Sequence, residues 1–586
     1  LKTVSWIDAL YRAGSNTERD VQLDYLWLAG FILLLVATGI GLRDPWPADE
    51  PRFALVARDM VASGEWLLPR IGGELYADKP PLFFWLIALG MEATGSLRIA
   101  FLLPSLLSAL GCVLLIYDLG RRLWNRETGL AAGMALLFTV QFVWQARQAQ
   151  IDATLCFFTT LSLYGLLRHL LQGPAWHWYG IGWAAAGLGV ITKGVGFLPL
   201  LVLIPYAMLR SPAWMPRFRG PPSVRWLIGP PALLLAAGVW LVPMLLTAYT
   251  DPAVAAYRDE ILFQQTLTRY ANAWHHHKPF WYFLVDVIPA LWLPLTVFLP
   301  WLAPRWRNAW RECDLRVALP LCWISMVVLF FSFSSGKRGV YVLPAVPAMA
   351  LVCAPYLVQL LTKKIVQRIL WAIAAAGAIS MIFGFAVAAF LIPHGKRMDV
   401  LSTYGIDPVG PLILIALLTA LLCAWAGPRR GALAFCGMLI VILLTVSFWI
   451  NPSMNAARSG VDFVNRIEQL AHENAELGFV AFKEQYLLNI RRPIVHFGHA
   501  RWREADQEMA DAARWLNGDK MRQLVVSEEV RLRCFEDAQA ISLGVANRTH
   551  WYLVSGTADP QCAARGQPNV ARYYIPPVQA SYTAIL

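Results

Sequence analysis

The 586-residue sequence is poor in charge: Asp, Glu, Lys and Arg make up 15% of it, against about 25% in ordinary soluble domains. It also lacks the polar stretches that would separate several soluble domains in a chain of this length. Cysteine is sparse: of nine, seven lie in or beside apolar runs, which excludes a disulfide scaffold. No internal repeat is visible. The first 20 residues lack the apolar core of a cleavable signal peptide. They are charged and amphipathic (Trp6, Ile7, Leu10, Tyr11), as expected of a segment lying on the inner membrane surface. Together these absences exclude a soluble enzyme and a disordered chain.

What is present is hydrophobic length, since 57% of the residues are apolar. Uncharged runs at 226–250, 339–362, 369–395, 410–428 and 431–457 are each near or beyond the ~20 residues that cross a hydrocarbon core as a helix. They are not the ~10-residue alternating segments of a transmembrane β-barrel. Thirteen spans are expected, near 22–42, 97–118, 129–146, 152–169, 177–192, 195–209, 227–248, 281–302, 317–334, 340–361, 369–392, 410–427 and 432–450. The apolar segment 81–94 is read as a helix lying at the interface. With the N-terminus inside, six short loops near 121–128, 168–176, 210–225, 303–316, 363–368 and 429–430 also fall inside. Together they carry seventeen Lys/Arg against Glu127, Glu312 and Asp314. That is the positive-inside bias, so the net charge of +12 speaks for membrane topology and not for nucleic acid. Letting 81–94 cross fully would invert every later loop.

After residue 450 the composition changes. Helix-like pieces (461–472, 503–516) alternate with strand-like runs (477–483, 493–497, 523–527, 551–554, 571–575). The expected fold is therefore an all-α polytopic membrane domain, 1–452, followed by a soluble α/β domain, 453–586. An odd number of spans places that domain outside, in a bacterial periplasm. Cys534 and Cys562 fall there, where an oxidising compartment permits a disulfide. Large outer loops are expected at 43–96 and 249–280.

Polar groups gather on the same outer face. They are Asp49-Glu50-Pro51-Arg52, then Arg70 and Tyr76 through Asp78-Lys79-Pro80-Pro81, Arg147 through Asp152, Lys193, Gln265 with Arg269-Tyr270, His275-His276-His277, and Lys337-Arg338 with Tyr341. Charged groups at membrane depth are expensive and mark function. Carboxylates Asp49 and Asp152 beside cations Arg52, Lys79, Arg147, Lys193 and Arg269 suit a phosphate at headgroup level. A helix starting after Pro80-Pro81 would add its N–H groups to an anion site. The partner is then a lipid-linked phosphate, and paired carboxylates beside it suit glycosyl transfer. Each group also has a plainer reading. Asp49 and Glu50 read as loop acids, Asp152 as a helix-dipole partner, and Lys79 and Arg269 as snorkelling anchors. The triple His is a poor metal set, because adjacent His rarely supply three ligands to one ion. No cofactor is required by the sequence, and a divalent metal is open but unsupported.

Asp49-Glu50-Pro51-Arg52, Lys79-Pro80-Pro81 leading into aromatics, and Arg147-x4-Asp152 resemble the integral-membrane GT-C glycosyltransferases, relatives of protein O-mannosyltransferases. Gln265-x3-Arg269-Tyr270, His277-Lys278-Pro279-Phe280-Trp281-Tyr282 and Lys337 followed by Tyr341-Val342-Leu343-Pro344 are similar to the lipid A aminoarabinose-transferase branch. That resemblance implies a GT-C-type membrane domain. It implies an undecaprenyl phosphate-linked sugar as donor, lipid A as acceptor among the membrane lipids, no nucleic acid, and an inner-membrane site facing the periplasm. It implies that Lys79 and Arg269 hold the donor phosphate with Arg52 and Tyr76. Asp49, Glu50 and Asp152 would form the reaction centre, and Arg147, Lys193, Lys337 and Tyr341 would line it. The alternatives are another polyprenyl-phosphate-dependent GT-C enzyme and a lipid-linked sugar flippase.

Overall fold

The computed structural model describes residues 18–218, 223–263, 277–499 and 501–574. Among them, nine helices are long and apolar enough to cross a membrane, and two bent helix pairs raise that to eleven. The thirteen expected segments are all helical, but not all as whole spans. Two are the bent pairs: Arg126–Leu137 with Val140–Ala146 at 66°, and Phe283–Leu291 with Leu295–Arg311 at 105°. Two more are Trp176–Lys193, an 18-residue helix, and the short apolar helix Leu198–Met208. The helix Leu82–Thr94 has 13 residues, roughly 20 Å at 1.5 Å per residue, too short for the core.

The two breaks complete each other. Thr139 and Pro294 interrupt their helices, and backbone freed inside apolar surroundings must find new partners. The Val140 N–H donates to the Leu293 carbonyl (2.9 Å). Beside it, Trp292 Nε1 donates to Gln141 Oε1 (2.7 Å). Gln141 Nε2 in turn donates to the Gly339 carbonyl (2.8 Å). This chain of amide bonds fixes the turn that opens residues 339–345. Elsewhere small residues let helices approach closely. A Cβ on Gly129 would stand 2.6 Å from the Tyr117 carbonyl.

The first large loop folds as a helix, Glu50–Ser63, a hairpin of β1 (Arg70–Ile71) with β2 (Glu74–Leu75), and the short helix Leu82–Thr94. The hairpin turn needs Gly72, whose φ is +60° and whose Cβ would meet His496 Nε2 at 2.8 Å.

The C-terminal part carries six strands: β3 (Glu476–Phe479), β4 (Ile494–His496), β5 (Arg522–Ser527), β6 (Gln539–Ala546), β7 (Thr549–Ser555) and β8 (Ala571–Tyr573). Their order across the sheet is β6-β7-β5-β3-β4-β8. The central β5, β3 and β4 are parallel, and the outer pairings are antiparallel. Five strands sit on the expected runs. β6, at the sheet edge, has an exposed first half, and it lacks the apolar alternation that marks a strand in sequence. Cys534 and Cys562 form a disulfide. The sheet is seated on the first large loop: Phe53, Phe83 and Phe84 share one apolar cluster with Phe463, Tyr486 and Trp551.

Candidate functional site

Asp49 caps the helix Glu50–Ser63 without a side-chain hydrogen bond, so its carboxylate is turned away from the helix end. It accepts one bond, from Arg338 Nη2 at 3.3 Å. Glu50, one residue on, is buried and pairs with Arg43 through both oxygens, one contact at 2.7 Å. It also accepts from the Trp46 and Ala149 N–H groups, each at 3.0 Å. The Ala149 bond draws the segment ahead of Asp152 against the Asp49–Glu50 turn.

Asp152 lies in the first turn of the helix Ile151–Gln172 and pairs with Lys193 at the end of Trp176–Lys193. The Lys193 ammonium stands 4.7 Å from the Tyr341 ring centre, and that ring packs on Phe331 at 5.4 Å. The segment 338–341 therefore carries Arg338 to Asp49 and Tyr341 to Lys193. It links the two carboxylates through one short stretch of backbone, held at Gly339 by Gln141.

Arg52 and Tyr76 form a second group, completed by the C-terminal sheet. Arg52 Nε donates to Glu484 Oε1 at 2.8 Å, and the buried Tyr76 phenol lies near the same guanidinium. His499 Nε2 lies 3.3 Å from Glu484 Oε1, and the His499 N–H donates to Glu74 at 2.8 Å. Burial alone would raise the Glu484 carboxyl. The His499 bond and the Arg52 charge prevail and hold it at about 2.

Other expected residues have anchoring contacts. Arg147 is caged by the Leu35, Thr38 and Leu443 carbonyls and the Thr38 and Ser447 hydroxyls, tying the first span to the last. Lys337 is buried and donates to the Ser334 (2.6 Å) and Lys278 (2.9 Å) carbonyls. Lys79 Nζ donates to the Asp78 carbonyl at 2.9 Å. Arg269 lies outside the described residues, as do Gln265, Tyr270, His275 and His276. Among the described residues no group of three or more His, Cys, Asp or Glu is placed to hold a metal ion. Glu484 and His499 were not singled out in the sequence, and Arg338 was grouped with the outer-face polar residues without a role of its own. Arg338 stands inside the Lys337–Tyr341 motif, whereas Glu484 and His499 lie more than 400 residues from Arg52 and carry no local signal.

Residues 78–242 match the family model described as dolichyl-phosphate-mannose-protein mannosyltransferase. The undecaprenyl phosphate-alpha-4-amino-4-deoxy-L-arabinose arabinosyl transferase of Pseudomonas aeruginosa is 30% identical over 342 residues, 56% of this chain. The match spans only 59% of that relative's length. A protein of Aquifex aeolicus is 28% identical over 389 residues, 64% of this chain and 74% of its own. In fold, the chain is similar to ArnT from Cupriavidus metallidurans bound to undecaprenyl phosphate: 19% identity, TM-score 0.69, covering 94% of this chain and 98% of that one. Its apo state gives 21%, 0.70, 94% and 100%.

Proposed function

We propose that this ArnT-like chain of GT-C glycosyltransferase fold moves 4-amino-4-deoxy-L-arabinose from undecaprenyl phosphate to a phosphate of lipid A. The observation that carries the reading is the pair of carboxylates, Asp49 and Asp152, each with a single cationic partner among the described residues and joined through residues 338–341. Its occurrence in a chain similar to undecaprenyl phosphate-alpha-4-amino-4-deoxy-L-arabinose arabinosyl transferases supports the sugar and its lipid carrier.

In this reading Lys79 and Arg269 hold the donor phosphate, assisted by Arg52 and Tyr76. An oxygen of the acceptor phosphate attacks the anomeric carbon. The bond from that carbon to the undecaprenyl phosphate oxygen breaks, undecaprenyl phosphate leaves with the electron pair, and the anomeric centre inverts. The acceptor is already anionic, so no proton has to be removed. Asp49 and Asp152 are left to orient the sugar and its ammonium, while the cations stabilise the charge that grows on the leaving phosphate. The lysine- and arginine-rich loops support a site on the periplasmic face of the inner membrane. The product carries less negative charge, and polymyxin resistance follows.

The mannosyltransferase family match supports a second reading, in which a protein hydroxyl is the acceptor and Asp49 is its general base. The test is to incubate the purified protein with undecaprenyl-phosphate aminoarabinose and lipid A, and to weigh the products. Lipid A heavier by one aminopentose supports the proposal. Unmodified lipid A beside a glycosylated protein or peptide acceptor favours the second reading.

A further inference from the structure

The soluble sheet has a crevice of its own. Open α/β sheets bind ligands beyond the carboxyl ends of parallel strands, where the chain reverses its direction across the sheet. Here the chain passes from β3 to β4 on one side, then returns to place β5 on the other side of β3. The reversal lies between β3 and β5. A cavity of about 270 Å³ opens there, lined by residues 480–483 after β3, by Gly498 after β4 and by Ser527 at the end of β5. Such a volume is near the lower end of small-ligand pockets, roughly 300 Å³, and suits one sugar ring with a substituent.

The lining has mixed charge. Lys483, Arg501 and Arg533 face it together with Glu508 and Glu529. Glu508 is 3% exposed, and burial raises its carboxyl above the ordinary range. It accepts the Ala481 N–H at 2.8 Å, and Ala481 is held at φ +51°, a conformation unusual for any residue but glycine. A buried acid thus holds the loop after β3 in a strained shape, as at many ligand sites. The Lys483 ammonium makes no hydrogen bond or ion pair among the described residues. Among the described residues the Arg533 guanidinium pairs only with the exposed Asp506, at 2.5 Å, a surface contact worth little.

We propose that this crevice binds a phosphorylated monosaccharide, free or as the headgroup of a glycolipid. Lys483 and Arg533 take the phosphate. Glu508, Glu529 and the Ser527 hydroxyl take the sugar's hydroxyl or ammonium groups. Carboxylates in the lining disfavour a bare polyanion, and the volume is too small for a whole nucleotide. The segment is shared with the membrane-side site: Lys483 faces the crevice, while its neighbour Glu484 holds Arg52. The inference does not rest on the proposed transfer reaction.

The test uses the full-length protein in nanodiscs, titrated calorimetrically with glucosamine 1-phosphate, glucosamine, inorganic phosphate and UMP. A second arm places a phosphorylated glucosamine lipid in the disc and measures displacement of the soluble sugar phosphate. Lys483→Ala and Arg533→Ala are the variants, since Arg501 also holds the Phe497 carbonyl and Asp511. The expected result is that glucosamine 1-phosphate binds at least tenfold more tightly than glucosamine or phosphate, and that each variant loses tenfold or more. Displacement by the lipid assigns the headgroup as ligand, and its absence assigns the free sugar phosphate. Equal binding by wild type and either variant, preference for UMP, or no binding at millimolar concentration would overturn the proposal.

Discussion

Two pairs of acids stand at opposite ends of the helical bundle. Asp24 and Asp118 lie at one end, Asp49 and Asp152 at the other. The helix Ile151–Gln172 measures the separation: it carries Asp152 in its first turn and, twelve residues on, Tyr164, which bonds to Asp118. That is roughly 18 Å along the axis. Asp118 is saturated, accepting from Tyr25, Arg121, Arg122 and Tyr164. Asp24 accepts from Tyr117 and from two nitrogens of Arg126. Among the described residues the carboxylates of Asp49 and Asp152 have one partner each. A charge buried for architecture must be fully satisfied. Among the described residues, the acids at the Asp49–Asp152 end keep unused acceptor capacity beside cations, and that is where the proposed reading puts the ligand. The difference lies in the completeness of the shell, not in the residue type.

The sharpest way to break this comparison is to remove charge at each end. Asp49→Asn and Lys79→Ala are expected to lower transfer by about a hundredfold or more while the protein remains folded. Transfer per folded molecule and melting temperature are the measurements. Asp118→Asn should do the reverse. It leaves Arg121 and Arg122 short of a counter-charge and costs roughly 2 kcal/mol, below the value for a fully buried pair because both arginines reach solvent. Its turnover per folded molecule should match wild type.

A third prediction concerns the seam between the sheet and the first loop. The Glu484 carboxyl is depressed to about 2 from an ordinary value near 4.3. Its contribution is present above the ordinary value and fades as pH falls towards 2, about 3 kcal/mol in all. Glu484→Gln should therefore flatten the acid limb of the thermal-stability profile between about pH 5 and 2. A profile that stays as steep as wild type would remove Glu484 from the seam. The smallest effect is expected from Gly72→Ala, which places a methyl against His496 in a left-handed turn. A loss of about 1–2 kcal/mol, read by chemical denaturation, is expected.

Much of this was legible in one dimension. Each of the thirteen apolar segments is helical, because a backbone in lipid has no other way to satisfy itself. The alternation after residue 450 located five of the six strands, and the edge strand β6 escaped because its exposed half has little apolar patterning. The breaks at Thr139 and Pro294 were not foreseen, since two interrupted helices repair each other only when packed together. At the Asp49–Asp152 end, residue type pointed to Asp49, Asp152 and Lys193, and the structure pairs each with an opposite charge. Residue type did not separate Asp49 from Glu50, nor Lys193 from Arg147. Glu50 and Arg147 have the same chemistry, but their donors and acceptors are taken up by backbone and by neighbouring spans. That distinction exists only in three dimensions, as does the reach of Glu484 to Arg52.

The most direct test places the two ends side by side: single-turnover transfer by Asp152→Asn and Asp118→Asn, each normalised to its folded fraction. The account predicts a loss of at least about a hundredfold for Asp152→Asn and a rate within about twofold of wild type for Asp118→Asn. Equal rates for the two variants would contradict it.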